Sequence, residues 1–474
     1  MPPLPENRTD QRVTLPAREA RVAGHTDVLV VGGGPAGLGA ALGAAWAGAG
    51  VTLVERYGFL GGNATAALVM PLMSYFTQSQ PAANPDLTRL LPADHGTGDP
   101  VVAGALQELL RRIIDNGWAL PPGEDTGYTV PFDPEGFKLA ALELLDEAGV
   151  NYLFHSFASG VVGEEGAPEG VIFETKSGPL LLTANVIIDC TGDGDVAAQA
   201  GAPFRVGREE DGLVQPMTLM FRMAQFDRPG FTHYVNENPE QWRGVHGLWD
   251  LIEKATRDGR LDLPRDDILL FATPHERELS VNSTRVGGAL GTNVWDLTRA
   301  EWIARNQMRQ IVAFLRDYVP GFEHSYLVQS GVHTGVRETR RIIGEYVLTG
   351  ADVVGARQFD DVIARGAYPI DIHDPSGKGT VLQRLPPGEA YDIPLRCLQP
   401  RGIDRLLTAG RCISGTHTAH SSYRVTPIAM ATGQAAGVTA ALSSASGTAV
   451  REDSVGQVQR ELLGQGANLR DIAP

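Results

Sequence analysis

The sequence predicts an α/β fold: a Rossmann-type nucleotide-binding domain, made of a parallel sheet plus a β-meander, with an inserted α+β substrate domain. Three observations carry this. A strand, a glycine-rich turn, a helix and a second strand open the chain over residues 27–55. Short apolar runs separated by turn residues occupy 151–188. A buried strand and a long Ala/Gly-rich helix close it over 406–442.

Asp27–Val31 (DVLVV) is an apolar run ended by glycines, the pattern of a strand buried on both faces. Pro35–Ala49 is small and apolar and reads as a helix packed close to a sheet, with Gly50 as its stop. Val51–Glu55 is a second buried strand and completes a β-α-β unit. Helical periodicity recurs over Val101–Asn116 and Pro134–Ala148, each closed by a glycine. Asn151–Ile188 reads as a meander whose last strand runs into Thr191-Gly192-Asp193-Gly194-Asp195. Residues 206–395 hold most of the 11 histidines and mix helices with strands. Leu406–Ala409 returns to the buried-strand pattern, and Pro427–Leu442 is a helix with Thr426 as N-cap and Pro427 in its first turn. The expected division is an arm (1–24), a discontinuous nucleotide domain (25–72, 130–205 and 396–446), a substrate or cap domain (73–129 and 206–395) and a tail (447–474).

With 474 residues, 43% hydrophobic and 20% charged, the chain reads as a soluble protein with two sizeable domains. A net charge of −16 disfavours nucleic acid and anionic membranes as partners. A small anionic substrate stays open, because a local Arg/His cluster can outweigh the net charge. The three cysteines, Cys190, Cys397 and Cys412, have no CxxC spacing, which points to thiols in a reducing compartment and to no metal site. The first 25 residues are polar, with no signal-peptide apolar run, and no stretch is suited to span a bilayer. The expectation is a cytoplasmic enzyme with a loose N-terminal arm, no membrane partner and a homodimer as the default assembly.

Gly32-Gly33-Gly34-Pro35-Ala36-Gly37 matches GxGxxG after a strand and before a helix. Glu55 stands 18 residues after Gly37, near the ~20 expected of the acid that binds a ribose. The alternative, an ordinary glycine-rich turn, fits this context poorly. Arg56–Asn63 (RYGFLGGN) is extended and glycine-rich, as if following a cofactor longer than NAD. A helix starting near Thr426 would aim its positive end at an electron-rich group such as a reduced flavin.

Four stretches carry a resemblance: DVLVVGGGPAGLGAALGAAWAGAGVTLVERYGFLGGNAT, NVIIDCTGDGDVAAQAGAPF, RRIIGEYVLTGADVVGARQFDDVIARGAYPIDIH and LLTAGRCISGTHTAHSSYRVTPIAMATGQAAG. They resemble the FAD-dependent oxidoreductases of the glutathione-reductase type, in the group that includes fumarate reductase flavoprotein subunits. The resemblance implies FAD, an inserted substrate domain and an active site between domains at the flavin. It puts Gly32, Gly34 and Gly37 at the pyrophosphate, with Pro35 and Ala36 of the same turn among the cofactor contacts. It puts Glu55 at the adenosine ribose, and Arg56, Gly61, Gly62 and Asn63 along the flavin side. Ala158 would meet the adenine through its backbone, with Thr191 and Gly192 near the adenosine half. Gly410, Arg411 and Ser414 would contact pyrophosphate or ribitol, and Gln434 would lie near the flavin ring. One departure stands out: Gly410-Arg411 replaces the usual Gly-Asp, so Arg411 would bind phosphate where an acid usually holds the ribitol.

The catalytic candidates follow from chemistry. His417, His420 and Arg424 precede the closing helix and supply an acid or base and a cation for a substrate carboxylate. Tyr368, Asp371 and His373 form a polar cluster in an extended segment, where alternate residues share a face. The competing reading for each is a cap or a domain-interface contact. His333 and Arg337 could share a helix face, and Arg337, Arg340 and Arg341 could form an anion site or a solvated basic face. Asp193 and Asp195 read as helix caps, Cys190 as a core thiol, and Cys412 as a remote redox candidate. The leading function is an FAD-dependent dehydrogenase or reductase that moves hydride between a small polar metabolite and flavin N5. In it His420 is the proton shuttle and Arg424 the substrate anchor, and the electron acceptor or donor is open. The alternatives are a thiazole-synthase-like enzyme that binds NAD, and a non-catalytic flavin-binding subunit.

Overall fold

Val28 and Val30 point to one side of the first strand and Leu29 and Val31 to the other, and all four are buried. A sheet covered on both faces requires apolar side chains at every position. The computed structural model describes residues 12–78, 86, 88–92, 98–377, 379–450 and 455–470. In it β1 (Arg21–Val31) starts earlier than expected, with Arg21 paired opposite Leu180 and Arg18 bridged to Glu174. Residues 21–24 are therefore strand and not loose arm; residues 1–11 of the arm lie outside the described residues.

The chain continues through α1 (Pro35–Trp46), β2 (Val51–Val54), α2 (Ala105–Asp115), α3 (Pro134–Glu147), β3 (Asn151–Leu153), β4 (Phe157–Glu164), β5 (Ala167–Thr175) and β6 (Gly178–Asp189). Strands β3, β2, β1 and β6 lie parallel in that order, and β4, β5 and β6 form the antiparallel meander. The stop of α1 is Gly48 (φ +90°), two residues before the expected Gly50. Gly104 (φ +66°) leaves the helical region, so α2 starts at Ala105 and not at Val101.

Next come α4 (Asp195–Gln199), β7 (Phe204–Val206), β8 (Phe221–Ala224), α5 (Arg228–Glu237), β9 (His246–Gly247), α6 (Trp249–Arg257), β10 (Ile268–Ala272), β11 (Glu278–Val281), α7 (Val294–Tyr318) and β12 (Tyr326–Ser330). Strands β12, β8, β11, β10 and β9 make an antiparallel sheet with its own core around Phe221, Phe231, Trp242, Phe314 and Phe322. The remainder is β13 (Arg340–Ile342), α8 (Gly350–Val354), β14 (Val362–Gly366), β15 (Ile370–His373), β16 (Thr380–Gln383), β17 (Tyr391–Pro394), β18 (Leu406–Thr408), α9 (His417–Tyr423), α10 (Thr426–Ser446) and α11 (Val455–Gly464). Strand β18 pairs in parallel with the last residues of β6 and returns the chain to the first sheet.

The cores divide the chain differently from the expected boundaries. Leu106, Leu109 and Ile113 of α2, and Leu348, Ile370 and Tyr391, share one core with Leu38 of α1 and Ile428 of α10. Much of 73–129 and 348–395 therefore packs with the nucleotide domain, and the independent core belongs to 221–322. The cause is visible in α2, whose apolar stripe needs a partner and finds it on α3 and α10.

Helices α1 and α10 meet through glycines four apart. A Cβ on Gly43 would lie 2.4 Å from the Gln434 carbonyl oxygen, and one on Gly437 would lie 2.1 Å from that of Ala40. This backbone contact brings the two helix N-termini side by side. Helix α10 begins at Thr426 itself, with Val425 as an N-cap that has no side-chain acceptor. The expectation that Thr426 caps it is thus one residue out, while Pro427 does occupy the first turn. Within the expected tail, α11 docks by burying Val458 and Leu462. No helix among the described residues is long and apolar enough to cross a membrane.

Candidate cofactor groove and adjoining charge cluster

The glycine-rich turn is built by steric necessity. Gly32 has φ +103°, and a Cβ there would sit 2.5 Å from the Cys190 carbonyl oxygen. A Cβ on Gly37 would sit 1.7 Å from the Gly32 carbonyl oxygen, so only glycine lets α1 approach the sheet this closely. Beyond the turn lies a groove of about 960 Å³, open to solvent. Gly34, Pro35 and Ala36 at the start of α1 line it, as do Thr426 and Ala429 at the start of α10. Both helices thus present their positive ends to one cavity.

Glu55 forms the acidic end. Its carboxylate accepts hydrogen bonds from the Gly33 N–H (2.6 Å) and the Tyr57 N–H (2.9 Å). Burial pushes its pKa up, and these N–H groups oppose the shift. Gly32, Arg56, Gly62, Asn63, Ala158, Thr191, Gly192, Gly410 and Arg411 also line the groove.

Four candidates do not line it. Gly37 and Gly61 lie behind the wall, where the Gly61 N–H donates to the Gly33 carbonyl. Ser414 is buried against Gly344. Gln434 stands eight residues into α10, roughly 12 Å from its start. Its amide oxygen accepts from the Ala105 N–H and its nitrogen donates to Gln465, so it braces helices and does not face a ring system.

Arginines mark the rest of the groove. Arg411 Nη2 donates to Asp193 Oδ1 at 3.1 Å, while its Nη1 is buried without a partner. Asp193 also accepts from Thr339, and Asp195 pairs with Arg340, so neither is the expected cap. That role falls to Asp189, whose carboxylate accepts from the Thr191 and Ala197 N–H groups. Arg424 reaches from the groove to Asp371, with Nη2 3.2 Å from the backbone oxygen and 3.5 Å from Oδ2.

Asp371 is the centre of a buried cluster. The Tyr368 hydroxyl donates to its Oδ2 at 2.9 Å, and His373 Nε2 lies 3.6 Å away. Burial opposes its ionisation, but His373, Arg424 and Tyr368 outweigh it and hold the carboxyl well below the usual range. Burial, with Arg337 nearby, pushes His373 down to about 4. A second buried carboxylate, Glu338, accepts from Arg341, from His417 Nδ1 (2.9 Å) and from the Gln215 N–H (3.1 Å).

The imidazoles fall differently from the sequence expectation. Tyr368, His373, His417 and His420 stand behind the groove wall. His420 is completely buried and neither ring nitrogen has a partner. Burial, together with Arg341, Arg424 and Arg411, keeps it neutral. The histidine on the groove is His333, whose ring stacks on Tyr57. Its Nδ1 lies 2.6 Å from the Thr334 carbonyl oxygen, which makes Nδ1 the donor and leaves Nε2 to accept. Burial pushes its pKa down. Residues 331–339 form no helix, so His333 and Arg337 share no helix face. Cys412 is buried, its thiol pushed up by burial and placed near two backbone carbonyls, which leaves it no thiolate chemistry. Sequence reasoning missed Tyr57 and Glu338: Tyr57 lay within a stretch read for its glycines, and nothing in sequence links Glu338 to His417, 79 residues away.

A glycine-built turn, two helix N-termini and a buried acid define a dinucleotide-binding site. FAD fits the residues present, since the Glu55 carboxylate lies at one end of the groove and the guanidinium side chains of Arg411 and Arg424 line its other stretch. The model of the FAD dependent oxidoreductase family matches residues 27–462, and the chain belongs to that family. FAD is its cofactor. No curated protein matches the sequence. Similar solved structures include a geranylgeranyl bacteriochlorophyll reductase-like protein from Thermoplasma acidophilum (14% identity over 94% of this chain and 84% of that one, TM-score 0.43). Another is p-nitrophenol 4-monooxygenase from Pseudomonas putida (10% identity, 93% and 85% coverage, TM-score 0.45). A third is an anhydrotetracycline hydroxylase from Streptomyces rimosus (11% identity, 93% and 66% coverage, TM-score 0.41).

Proposed function

We propose that the chain is a dehydrogenase or reductase of the glutathione-reductase type, moving hydride between a small polar metabolite and its flavin. The supporting observation is Arg424, a cation on the groove at the α10 end, tied to an ionised, buried Asp371. Bound FAD supplies the two-electron acceptor or donor. The α1 N-terminus and Arg411 would hold its phosphates, Glu55 its ribose, and Gly62, Asn63 and the α10 N-terminus its redox end. Arg424 anchors the substrate, and Asp371 fixes the Arg424 fork. Tyr368 and His373 hold Asp371 in its anionic form.

Proton transfer moves from His420 to His333. His420 has no face on the groove, whereas His333 offers a neutral imidazole with a free Nε2 lone pair, the state a general base needs. Anaerobic stopped-flow reduction of the holoenzyme by small metabolites tests this. His333→Asn should slow flavin reduction by about 10²-fold or more, and His420→Ala should slow it much less. The reverse order would return the role to His420. Reoxidation by O2, a quinone or a nicotinamide then identifies the second redox partner. A visible spectrum before and after denaturation should show flavin bands that are released. A colourless protein that takes up no FAD would sink the proposal and favour the NAD alternative.

A further inference from the structure

Residues 331–335 lead from β12 to the groove wall, and His333 stands in the middle of them. The Gly331 N–H donates to the Met220 carbonyl, the Val332 N–H donates to the Ala66 carbonyl at 2.6 Å, and Gly335 exchanges backbone hydrogen bonds with Thr218. Between these anchors residues 331–334 form neither helix nor strand, so no repeating backbone pattern fixes the imidazole. Its own contacts are the stack on Tyr57, with ring centroids 5.7 Å apart, and the bond from Nδ1 to the Thr334 carbonyl at 2.6 Å.

Thr334 is itself held from α7. One oxygen of the Glu301 carboxylate accepts from both the Thr334 N–H and the Thr334 hydroxyl, each at 2.6 Å. The other oxygen pairs with Arg305, one turn further along the helix. Thr334 is completely buried, so water does not compete for these bonds, and bonds to a carboxylate are stronger than neutral ones. Helix α7 is a firm support, because Ile311, Phe314 and Leu315 pack it into the independent core. We propose that Glu301 is a positioning residue for His333: it fixes Thr334, and the Thr334 carbonyl then keeps the ring proton on Nδ1 and leaves Nε2 to accept. Its importance for turnover rests on the reading of His333 as the base. The independent core is thereby tied to the group that takes the proton. The Glu301 charge also acts on the ring, against Arg56 and Arg411, and substitution separates charge from reach.

Glu301→Gln keeps the reach and loses the charge, whereas Glu301→Asp keeps the charge and, one methylene shorter, loses the reach. In holoenzyme labelled with ¹⁵N-histidine, His333 is the ring whose signals vanish in His333→Asn. The parent and Glu301→Gln should show that ring with its proton on Nδ1, and Glu301→Asp should show a mixture of both tautomers. Flavin reduction by the metabolite that reduces the parent should slow about tenfold or more in Glu301→Asp and less than about threefold in Glu301→Gln. The loss should fall on the maximal rate and not on the half-saturating concentration, and neither change should slow His333→Asn further. A pure Nδ1–H tautomer in Glu301→Asp overturns the positioning role. So does a Glu301→Gln slowed as much as Glu301→Asp, a loss confined to half-saturation, or a loss that persists in the His333→Asn background. If Glu301→Asp fails to fold, Glu301→Ala carries the same test. A tautomer that loosens in Glu301→Asp, in a protein whose His333→Asn variant reduces at the parent rate, overturns His333 as the base and leaves Glu301 as the residue that orients its ring.

Discussion

The cofactor groove and the Asp371 cluster lie side by side but are made of different material. The groove is made largely of backbone: a turn that excludes Cβ atoms, two helix ends and one acid, each of which is a local feature of its own segment. The cluster is made of side-chain charges drawn from 337–341, 368–373 and 417–424, which the fold brings together. A backbone site should fail sterically and all at once. A charge site should fail by degrees, depend on pH and be repairable in pairs.

The largest effect should come from the groove. Gly37→Val puts carbon where the Gly32 carbonyl already is, so helix and sheet must separate. Overpacking of this kind costs about 1–3 kcal/mol or more, and the separation dismantles the anion-binding turn. Purified protein should hold little or no flavin and should unfold at clearly lower denaturant. Normal flavin content in this variant would mean that the turn is not what binds FAD.

Asp371→Asn should come next, at roughly 3–5 kcal/mol, because it leaves the largely buried Arg424 without its anion. Adding Arg424→Met should recover part of that loss, and a denaturation double-mutant cycle measures it. No second substitution should repair Gly37→Val in this way. If the double variant is as unstable as the sum of the singles, the two residues are not coupled and the contrast between the regions fails.

This contrast also explains what was legible in the sequence. Glycine spacing, Glu55 and the closing helix are local patterns, and each follows from steric rules that act over a few residues. The Gly48 stop, the start of α2 at Ala105 and the cap of α10 moved by one to four residues, because ends are set by backbone conformations that composition only biases. The fault in reading Asp193 as a cap was of another kind: its partner, Arg411, is 218 residues away. His420 looked catalytic for its place beside the cofactor segment, yet α9 turns it into the core. Gln434 was placed near the flavin ring by resemblance, although eight residues along α10 carry it away from the groove. Partner identity across such distances is a property of the fold, and single-sequence patterns do not contain it.

His373 sharpens the comparison through pH. Its folded pKa, about 4, lies below the ordinary 6.5, so protonation favours the unfolded chain. The associated stability is complete above about pH 6.5 and is lost as pH falls toward 4, by up to roughly 3 kcal/mol. Asp371, also depressed, adds to the loss at still lower pH. His373→Gln should flatten the stability curve between pH 6.5 and 4, as read by denaturant midpoints, and Gly32 or Gly37 variants should leave its shape unchanged. An unaltered slope in His373→Gln would mean that the imidazole is already charged in the folded protein.

The smallest expected effect sits where the two regions touch. Asp193 holds Arg411 Nη2, and its negative charge lies close to where the resemblance puts the FAD phosphates. Asp193→Asn keeps an oxygen for Arg411 and Thr339 but removes that charge. Repulsion of the pyrophosphate falls, while Arg411 loses some of its orientation. At low salt the first effect should prevail, because two unit charges several ångströms apart in a partly buried groove interact by more than one hydrogen bond loses on neutralisation. FAD should bind two- to fivefold more tightly to the apoprotein, about 0.4–1 kcal/mol, measured by quenching of flavin fluorescence. Raising ionic strength should shrink the gain, since salt screens charge and leaves hydrogen-bond geometry alone. Weaker binding at every salt concentration would show that Asp193 acts as a brace for Arg411, and the groove would then depend on side-chain charge as much as the cluster does.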